Sequence, residues 1–558
     1  MTTMTGAKAC VESLRMNNVG IVFGIPGGAI LPVYDELKDS SIRHVLTRHE
    51  QGASHMADGY ARATGKVGVC MATSGPGATN MVTGIGTAYM DSSPIIAITG
   101  QVPQSMVGRD AFQEADIVAM TTPIVKHSFQ PATPNDIPYM LKAAFHIANT
   151  GRPGPVVIDI PRNVQVGSDE IDLDPELHLP GYKPPIEPHV MQMKKAAELL
   201  VKATRPIILA GGGVLISNAS AELIALAEAM SLPVATTFPG KGVFPENHPL
   251  AFGKIGLYGG ESANHAICEA DVILAVGCRF SDRSTVTIEK FASSAKIIHV
   301  DVDPSEIGKN VPAEVPIVGD AKLALSGIYN NVKNNAHKAD ISSWLKRVEE
   351  IRVTYQDQFE DTNVMNFPKA LKTMRKILPP ETVVTADVGL HQMAAAIYFD
   401  SYTPRSFISS GGLAPMGFAF PASIGAKAAR PEAPVVCITG DGGFMMTQSE
   451  MATSIEEQLP VLTVVFNNHS LGMVAELQKL FWKQRYFAVD LGKSPDFVKL
   501  AEAYGAEGYR ADSYKTLEES LHKAMRSEIS SLIEIPISPE ETLPLVPPGK
   551  TLDASMIE

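Results

Sequence analysis

A chain of 558 residues is too long for one hydrophobic core, and at about 150 residues per domain it asks for three or four units, of which we count three. Its composition, 45% hydrophobic and 19% charged, is that of a folded water-soluble protein, without an apolar run long enough to span a bilayer or the basic-then-apolar start of a secretion signal. The formal net charge of −13 argues against a nucleic-acid partner, and five scattered cysteines without CxxC spacing read as reduced thiols of a cytoplasmic enzyme.

Residues 7–16 pattern as a short amphipathic helix, and Val22-Phe23-Gly24 reads as a strand entering the Gly-rich turn Ile25-Pro26-Gly27-Gly28-Ala29. A helix at 31–37, a strand at 44–46, a small-residue helix at 52–62 and a strand at 67–73 follow. Strand and helix alternate, so the fold class is α/β. Glu50 falls just past the 44–46 strand among apolar and small residues. Burial there would raise its pKa and let it hold a proton near neutrality, whereas an ordinary glutamate is solvated. The loops ATSGPGATN (72–80) and ITGQVPQ (98–104) again place Gly and polar residues directly after apolar strands. A strand at 156–160 follows, and the Pro-rich stretch 172–188 reads as a linker.

A second α/β unit begins near Val190. Its strand at 206–210 opens on Gly211-Gly212-Gly213 and a helix at 219–230. Such a turn suits a nucleotide's phosphates, although the spacing is not that of the dinucleotide fingerprint. Strands at 271–277 and 297–303 end in Gly277 and in Asp301 and Asp303, where an acid either meets a ribose or simply caps the strand. The polar stretch 331–343 marks a second boundary.

The third unit has strand-exit loops DVGLHQ (387–392) and SGGLAPMG (410–417) before its most informative stretch, 435–474. A strand at 435–439 stops at Gly440-Asp441-Gly442, a helix is expected over 447–457, and a strand at 461–466 stops at Asn467-Asn468. A parallel strand-helix-strand unit would bring Asp441 and Asn468 side by side at the edge where such sheets bind ligands. Hard oxygens without a thiol or imidazole suit Mg2+ that shares its shell with a diphosphate. The tail, 546–558, is Pro-rich.

GDG followed by NN resembles the diphosphate signature of thiamine diphosphate enzymes, and Leu471-Gly472-Met473-Val474 narrows it to the acetohydroxyacid synthases. FGIPGGAILPVYDEL, RHEQGASHMADGYARATGKVGVCMATSGPGATN, TAYMDSSPIIAITGQVPQ and DAFQEADIV resemble the catalytic subunit of that family. The resemblance implies three doubly wound parallel-sheet domains: a pyrimidine-binding unit at 1–180, an FAD- or nucleotide-binding-like unit at 190–332 and a diphosphate- and Mg2+-binding unit at 345–545, with 546–558 as an arm that is either disordered or closes over the site. It also implies an acetolactate synthase activity: pyruvate is decarboxylated on thiamine diphosphate and its two-carbon unit passes to a second 2-oxoacid, pyruvate or 2-oxobutyrate, at the start of branched-chain amino-acid biosynthesis.

By the same likeness Glu50 pairs with the cofactor's aminopyrimidine, while Val388, Gly389, His391, Ala414, Met416, Gly440, Asp441, Gly442, Gly443, Asn468, Ser470, Leu471, Gly472 and Met473 hold thiamine diphosphate. Asp441, Asn468 and Ser470 would take the metal, and Met416 would bend the cofactor. Arg152, Gly211, Gly212, Gly213, Arg279, Asp301, Asp303 and Asp320 would contact FAD, which has no redox part in a redox-neutral reaction. Gly28, Phe112, Gln113 and Arg283 would border the substrates, with Arg283 pairing the acceptor's carboxylate bidentately. The implied assembly is a homodimer or homotetramer, in which Glu50 of one subunit meets a diphosphate held by another, together with a small regulatory subunit.

The chain departs from the family pattern at four places. Leu477 stands where many members carry Trp, Ala475 where a long side chain is common, Ala414-Pro415 where a Gly-containing pair is usual, and Leu257-Tyr258 where Met-His is frequent. One methylene in an apolar pocket is worth about 1–3 kcal/mol, so Leu477 predicts a weaker preference for 2-oxobutyrate as acceptor. The competing readings are another thiamine diphosphate-dependent decarboxylase or carboligase, an oxidase of the same superfamily, which would consume oxygen with pyruvate, and a non-catalytic nucleotide-binding regulator, which would not need Glu50 beside the Asp441/Asn468 pair.

Overall fold

Short apolar runs bounded by glycines form the strands of three six-stranded sheets in the computed structural model, which describes residues 1–335, 339–355 and 364–557. Strand after strand is buried along its whole length, as in a parallel sheet covered by helices on both faces. The first sheet runs in the order Arg43–Leu46, Ile21–Gly24, Gly68–Ala72, Ile95–Gln101, Val156–Pro161 and His127–Phe129, all parallel. The third runs Phe407–Ser409, Val383–Ala386, Val435–Gly440, Leu462–Asn467, Ser531–Pro536 and Glu507–Arg510. Both follow the chain as second, first, third, fourth, sixth, fifth, so the outer units share one topology.

The middle sheet differs: Ala251–Lys254, Val234–Thr236, Pro206–Ala210, Val272–Val276, Lys296–Asp301 and Val315–Val318 lie third, second, first, fourth, fifth, sixth. That is the strand order of dinucleotide-binding sheets, with its switch point between the first and fourth strands. In the outer units the order reverses between the first and third strands. The segments leaving those strands are 25–29 and 73–77 in the first unit and 387–389 and 440–443 in the third.

Several details differ from the sequence reading. Thr2–Thr5, too polar to signal a strand, pairs antiparallel with Ser168–Ile171. The linker at 172–188 is tied down, for Tyr182 Oη donates to Thr150 O at 2.8 Å and Asp320 N donates to Ile186 O at 2.8 Å. The single helix expected over 447–457 is two, Asp441–Thr447 and Glu450–Glu456, and the first begins at Asp441 itself. Helix Ser342–Thr354 belongs by its packing to the middle unit, because Trp344 is buried in that core and its Nε1 donates to Pro206 O at 2.9 Å. Of the boundary stretch 331–343, residues 336–338 lie outside the described residues. The tail also docks on the middle unit: Val546 N donates to Leu257 O at 2.9 Å, and Leu552 is buried beside Phe280 and Trp344; its last residue, 558, lies outside the described residues.

The outer units pack directly on one another. Helices Glu50–Thr64 and Ala419–Ala429 cross so tightly that a Cβ on Gly59 would lie 2.1 Å from Ala422 O and one on Gly425 1.9 Å from Met56 O. One apolar cluster, from Ile21 to Leu532, runs through both. Among the described residues no helix is long and apolar enough to cross a membrane.

Candidate active site

At the third unit's switch point lies a cavity of about 170 Å3, lined by Val388, Gly389, His391, Met416, Gly440, Asp441, Gly442, Gly443, Asn468, Ser470, Leu471, Gly472, Met473 and Leu477. The residues expected on the diphosphate therefore converge, apart from Ala414. That residue lies outside the lining, in a left-handed turn (φ 55°) whose N–H donates to Ser410 Oγ. Asp441 is 2% exposed, and burial raises its carboxyl above the usual range. Its partner is Ser494, whose Oγ lies 3.2 Å from Oδ2, and among the described residues no Lys or Arg forms an ion pair with it. A buried carboxylate beside the Asn468 amide oxygen fits a hard divalent cation that completes its shell with ligand and water oxygens. No cluster of three His, Cys, Asp or Glu is present among the described residues. Ser470 lines the same cavity, and its hydroxyl donates to Val489 O at 3.0 Å.

His391 forms part of the cavity floor. Its ring is clasped by Gly389 and Gly440, where a Cβ would come within 2.5 and 2.8 Å of Cε1. Burial pushes its pKa down to about 3, and Nε2 has no partner among the described residues. A bound phosphate oxygen would draw a proton to that nitrogen. Asp387, which the sequence did not single out, holds the surrounding loops together. It accepts N–H bonds from Gly417 and Phe418 at 3.0 and 3.1 Å and the Thr439 hydroxyl at 3.0 Å, and a Cβ on Gly443 would strike its Oδ2. One buried carboxylate thus binds the Met416 loop to the Gly440 loop.

Glu50, Gly28, Phe112 and Gln113 do not line this cavity. They gather at the first unit's own switch point. Glu50 opens helix Glu50–Thr64, is half-buried, and accepts Asn80 Nδ2 on Oε2 at 2.9 Å. A Cβ on Gly77 would stand 3.3 Å from Oε1, so the glycine keeps that side of the carboxyl open. Gln113 lies in a left-handed bend (φ 59°) against Gly75, Gly28 faces open space, and Phe112 is 87% exposed. The corner before Glu50 is held by another residue the sequence left unmarked. Glu450 of the third unit, fully buried, accepts Arg48 N and His49 N at 3.1 and 2.9 Å.

The middle unit's switch point is a crevice of about 120 Å3 lined by Arg152, Gly212, Gly213, Arg279, Asp301 and Asp320 among others, and it shares walls with a cavity of about 280 Å3. Gly211 lies behind it, where a Cβ would sit 2.1 Å from Gly277 O, so its role is close backbone packing. Asp320 caps helix Ala321–Lys333 and takes Ser217 Oγ at 2.6 Å, while Asp303 turns to Ser305. Arg152 is paired with Glu306 at 3.0 Å. Burial raises Asp301 to about 6, and burial beside Arg152 lowers Arg279. Arg283 is largely exposed on the middle unit and faces Asp282 at 3.7 Å.

Three family models match the chain in order: the thiamine pyrophosphate enzyme N-terminal TPP binding domain over residues 4–120, the central domain over 193–328 and the C-terminal TPP binding domain over 387–535. The "Probable acetolactate synthase large subunit" of Methanocaldococcus jannaschii is 52% identical across 98% of this chain and 94% of that protein. Its namesake in Methanococcus aeolicus is 49% identical over the same shares. The chain belongs to the acetolactate synthase large-subunit family. The acetolactate synthase large subunit of Corynebacterium glutamicum, at 46% identity over 93% of this chain and 84% of its own length, agrees. The family expected from the GDG and NN motifs is the family found. Acetolactate synthase large subunits are thiamine pyrophosphate enzymes, and the three parallel sheets seen here are the α/β units on which that family is built.

Proposed function

We propose that this chain is an acetolactate synthase: it takes the two-carbon unit of pyruvate, with loss of carbon dioxide, and joins it to a second 2-oxoacid, pyruvate or 2-oxobutyrate. The observation that carries the reading is the convergence of the Gly440–Gly443 and Asn468–Met473 loops on one cavity with a buried, metal-grade Asp441 at its edge. Asp441 and Asn468 would hold Mg2+, and the cavity's glycines and His391 Nε2 the diphosphate. When bound, thiamine diphosphate supplies a nucleophilic ring carbon and an electron sink.

The chain's own groups do the rest. Glu50 holds a proton at Oε1, the oxygen that Asn80 leaves free. Met416, set in the cavity wall by the Asp387 clamp, orients whatever occupies the cavity and keeps water from it. Arg283, with its guanidinium in solvent, binds the carboxylate of the incoming acceptor. Gly28, Phe112 and Gln113 close the substrate side from the first unit. We further propose that FAD occupies the middle crevice without a redox role, Arg279 and Arg152 serving its phosphates and Asp301 its ribose. Its strand order and paired arginines support this. The working unit would be a cytoplasmic homodimer or homotetramer, joined by a small regulatory subunit as the large-subunit name of its relatives implies.

An acetolactate assay on the purified chain, with and without thiamine diphosphate and Mg2+, tests the reading. Product that depends on both is expected. Pyruvate-dependent oxygen uptake without acetolactate would assign an oxidase instead.

A further inference from the structure

Two walls of the proposed acceptor pocket come from different units. The third unit supplies helix Gly472–Phe481, which carries Met473 and Leu477 to the cavity. The middle unit supplies Arg283 and the segment beside it, where Leu257 N donates to Arg283 O at 2.9 Å. Between the walls is one short bond: Tyr258 Oη of the middle unit donates to Glu476 Oε2 at 2.5 Å. Both side chains are buried, at 5% and 2% exposure. Burial, then the neighbouring Glu476 charge, raises the phenol above its ordinary range, so the tyrosine remains the donor, and the Arg283 charge reaches it as well. Glu476 Oε1 is engaged by Leu543 N at 2.9 Å, and Val546 N holds Leu257 O, so the chain's last segment is fastened to both walls. Around the bond, Leu257 and Tyr258 lie in the third unit's apolar cluster with Leu390, Met473, Leu480 and Leu545.

A phenol-to-carboxylate bond of this length is charge-assisted and geometrically demanding. It joins two units that could otherwise shift against each other, and it lies one residue from Leu477 and one from Leu257. These are places where the sequence departs from the family pattern. We propose that Tyr258 and Glu476 form a latch that fixes the separation of Arg283 from Leu477 and thereby positions the acceptor 2-oxoacid. The inference rests on the function proposed above. Tyr258 and Glu476 are positioning residues: they act through Arg283 and Leu477. Breaking the latch lets the Leu477 turn of helix Gly472–Phe481 retreat, which weakens its contact with the acceptor's terminal methyl while the Gly440–Gly443 side of the cavity stays in place.

The test is competition between pyruvate and 2-oxobutyrate, with both products quantified, on Tyr258→Phe and Glu476→Gln. Tyr258→Phe is expected to raise the apparent KM for 2-oxobutyrate about threefold or more and to lower its share of product by a similar factor, part of the discrimination one methylene provides. Its kcat with saturating pyruvate and its thiamine diphosphate affinity should stay within about twofold of wild type. Glu476→Gln keeps an acceptor oxygen but loses the charge, and is expected to move KM and product ratio the same way by about twofold. It carries the test alone if Tyr258→Phe fails to fold. Folded variants with wild-type KM and product ratio overturn the latch, even if their melting temperature falls, because a merely structural bond would change stability alone. Wild-type chain that makes no acetohydroxy acid overturns the proposed function instead.

Discussion

Glu50 is open to a clean test because its side-chain hydrogen bond from Asn80 lands on Oε2, an oxygen that an amide can replace. Glu50→Gln is expected to bind thiamine diphosphate as wild type does, because the proposed diphosphate loops are in another unit, and to lose turnover by about 10²–10⁴, the usual worth of a positioned acid or base. Titration of the cofactor beside steady-state kinetics checks both halves, and wild-type turnover would remove Glu50 from the mechanism. Leu477 bears on specificity. It lines the cavity and is 37% exposed, so a larger ring can be added there without displacing core. Leu477→Trp is expected to raise the share of 2-oxobutyrate product by about tenfold, the low end of what one extra methylene contact provides; an unchanged product ratio would place Leu477 outside the acceptor pocket. Asp441 and Asn468 were legible because they follow strands in local motifs, and Glu50 through the family resemblance. Asp387, Glu450, Ser494 and Glu476 were not, since what makes them matter is a partner up to 402 positions away, which no local pattern encodes.

At the scale of elements the strands given bounds from the sequence lie within two residues of those found, because apolar β-branched runs stopped by glycine leave little choice, whereas Ala251–Lys254, Val315–Val318, Glu507–Arg510 and Ser531–Pro536, among others, went unmarked. The errors fall where polar sequence forms structure through pairing, as at Thr2–Thr5, or where a helix joins a neighbouring unit, as Ser342–Thr354 does through Trp344. Polar networks add to the apolar packing at the joints between units. Arg62 of the first unit binds Asp58 and Asp91 at 2.7 and 2.9 Å and donates to Ser409 O of the third. Asp91 in turn accepts Gly411 N and Gly412 N at 3.2 and 2.7 Å. Arg405 of the third unit, held at φ 62°, donates to Arg62 O and to Leu215 O and Asn218 Oδ1 of the middle one. Removing Arg62 leaves two carboxylates with 0% and 4% side-chain exposure unpaired. Arg62→Ala is therefore expected to destabilise the chain by about 3–5 kcal/mol. Denaturant unfolding checks it, and a loss below about 1 kcal/mol, the worth of a surface pair, would show that the network is not what holds the units together.

At the scale of the whole molecule, the proposed function requires that Glu50 reach a diphosphate proposed to sit at Asp441, and no single unit provides this. Among the described residues, none of the first unit lines the Asp441 cavity of the same chain. Exposed apolar side chains lie on both units, Leu31, Met106, Val107 and Phe112 on the first and Leu413, Met445 and Met446 on the third. Two such sets, each on a unit with an incomplete site, suit a two-fold pairing that sets Glu50 of one chain against Asp441 of the next. Glu50→Gln and Asp441→Ala should each be inactive alone, the latter because it removes the buried carboxylate proposed for Mg2+ and so weakens cofactor binding. Mixed under conditions that allow exchange, half of the dimers would carry one copy of each. In such a dimer one site holds both defects and the other holds none. Equal mixing should therefore restore about one quarter of wild-type activity. With exchange verified by mass or fluorescence, a mixture that stays inactive would place the complete site within a single chain.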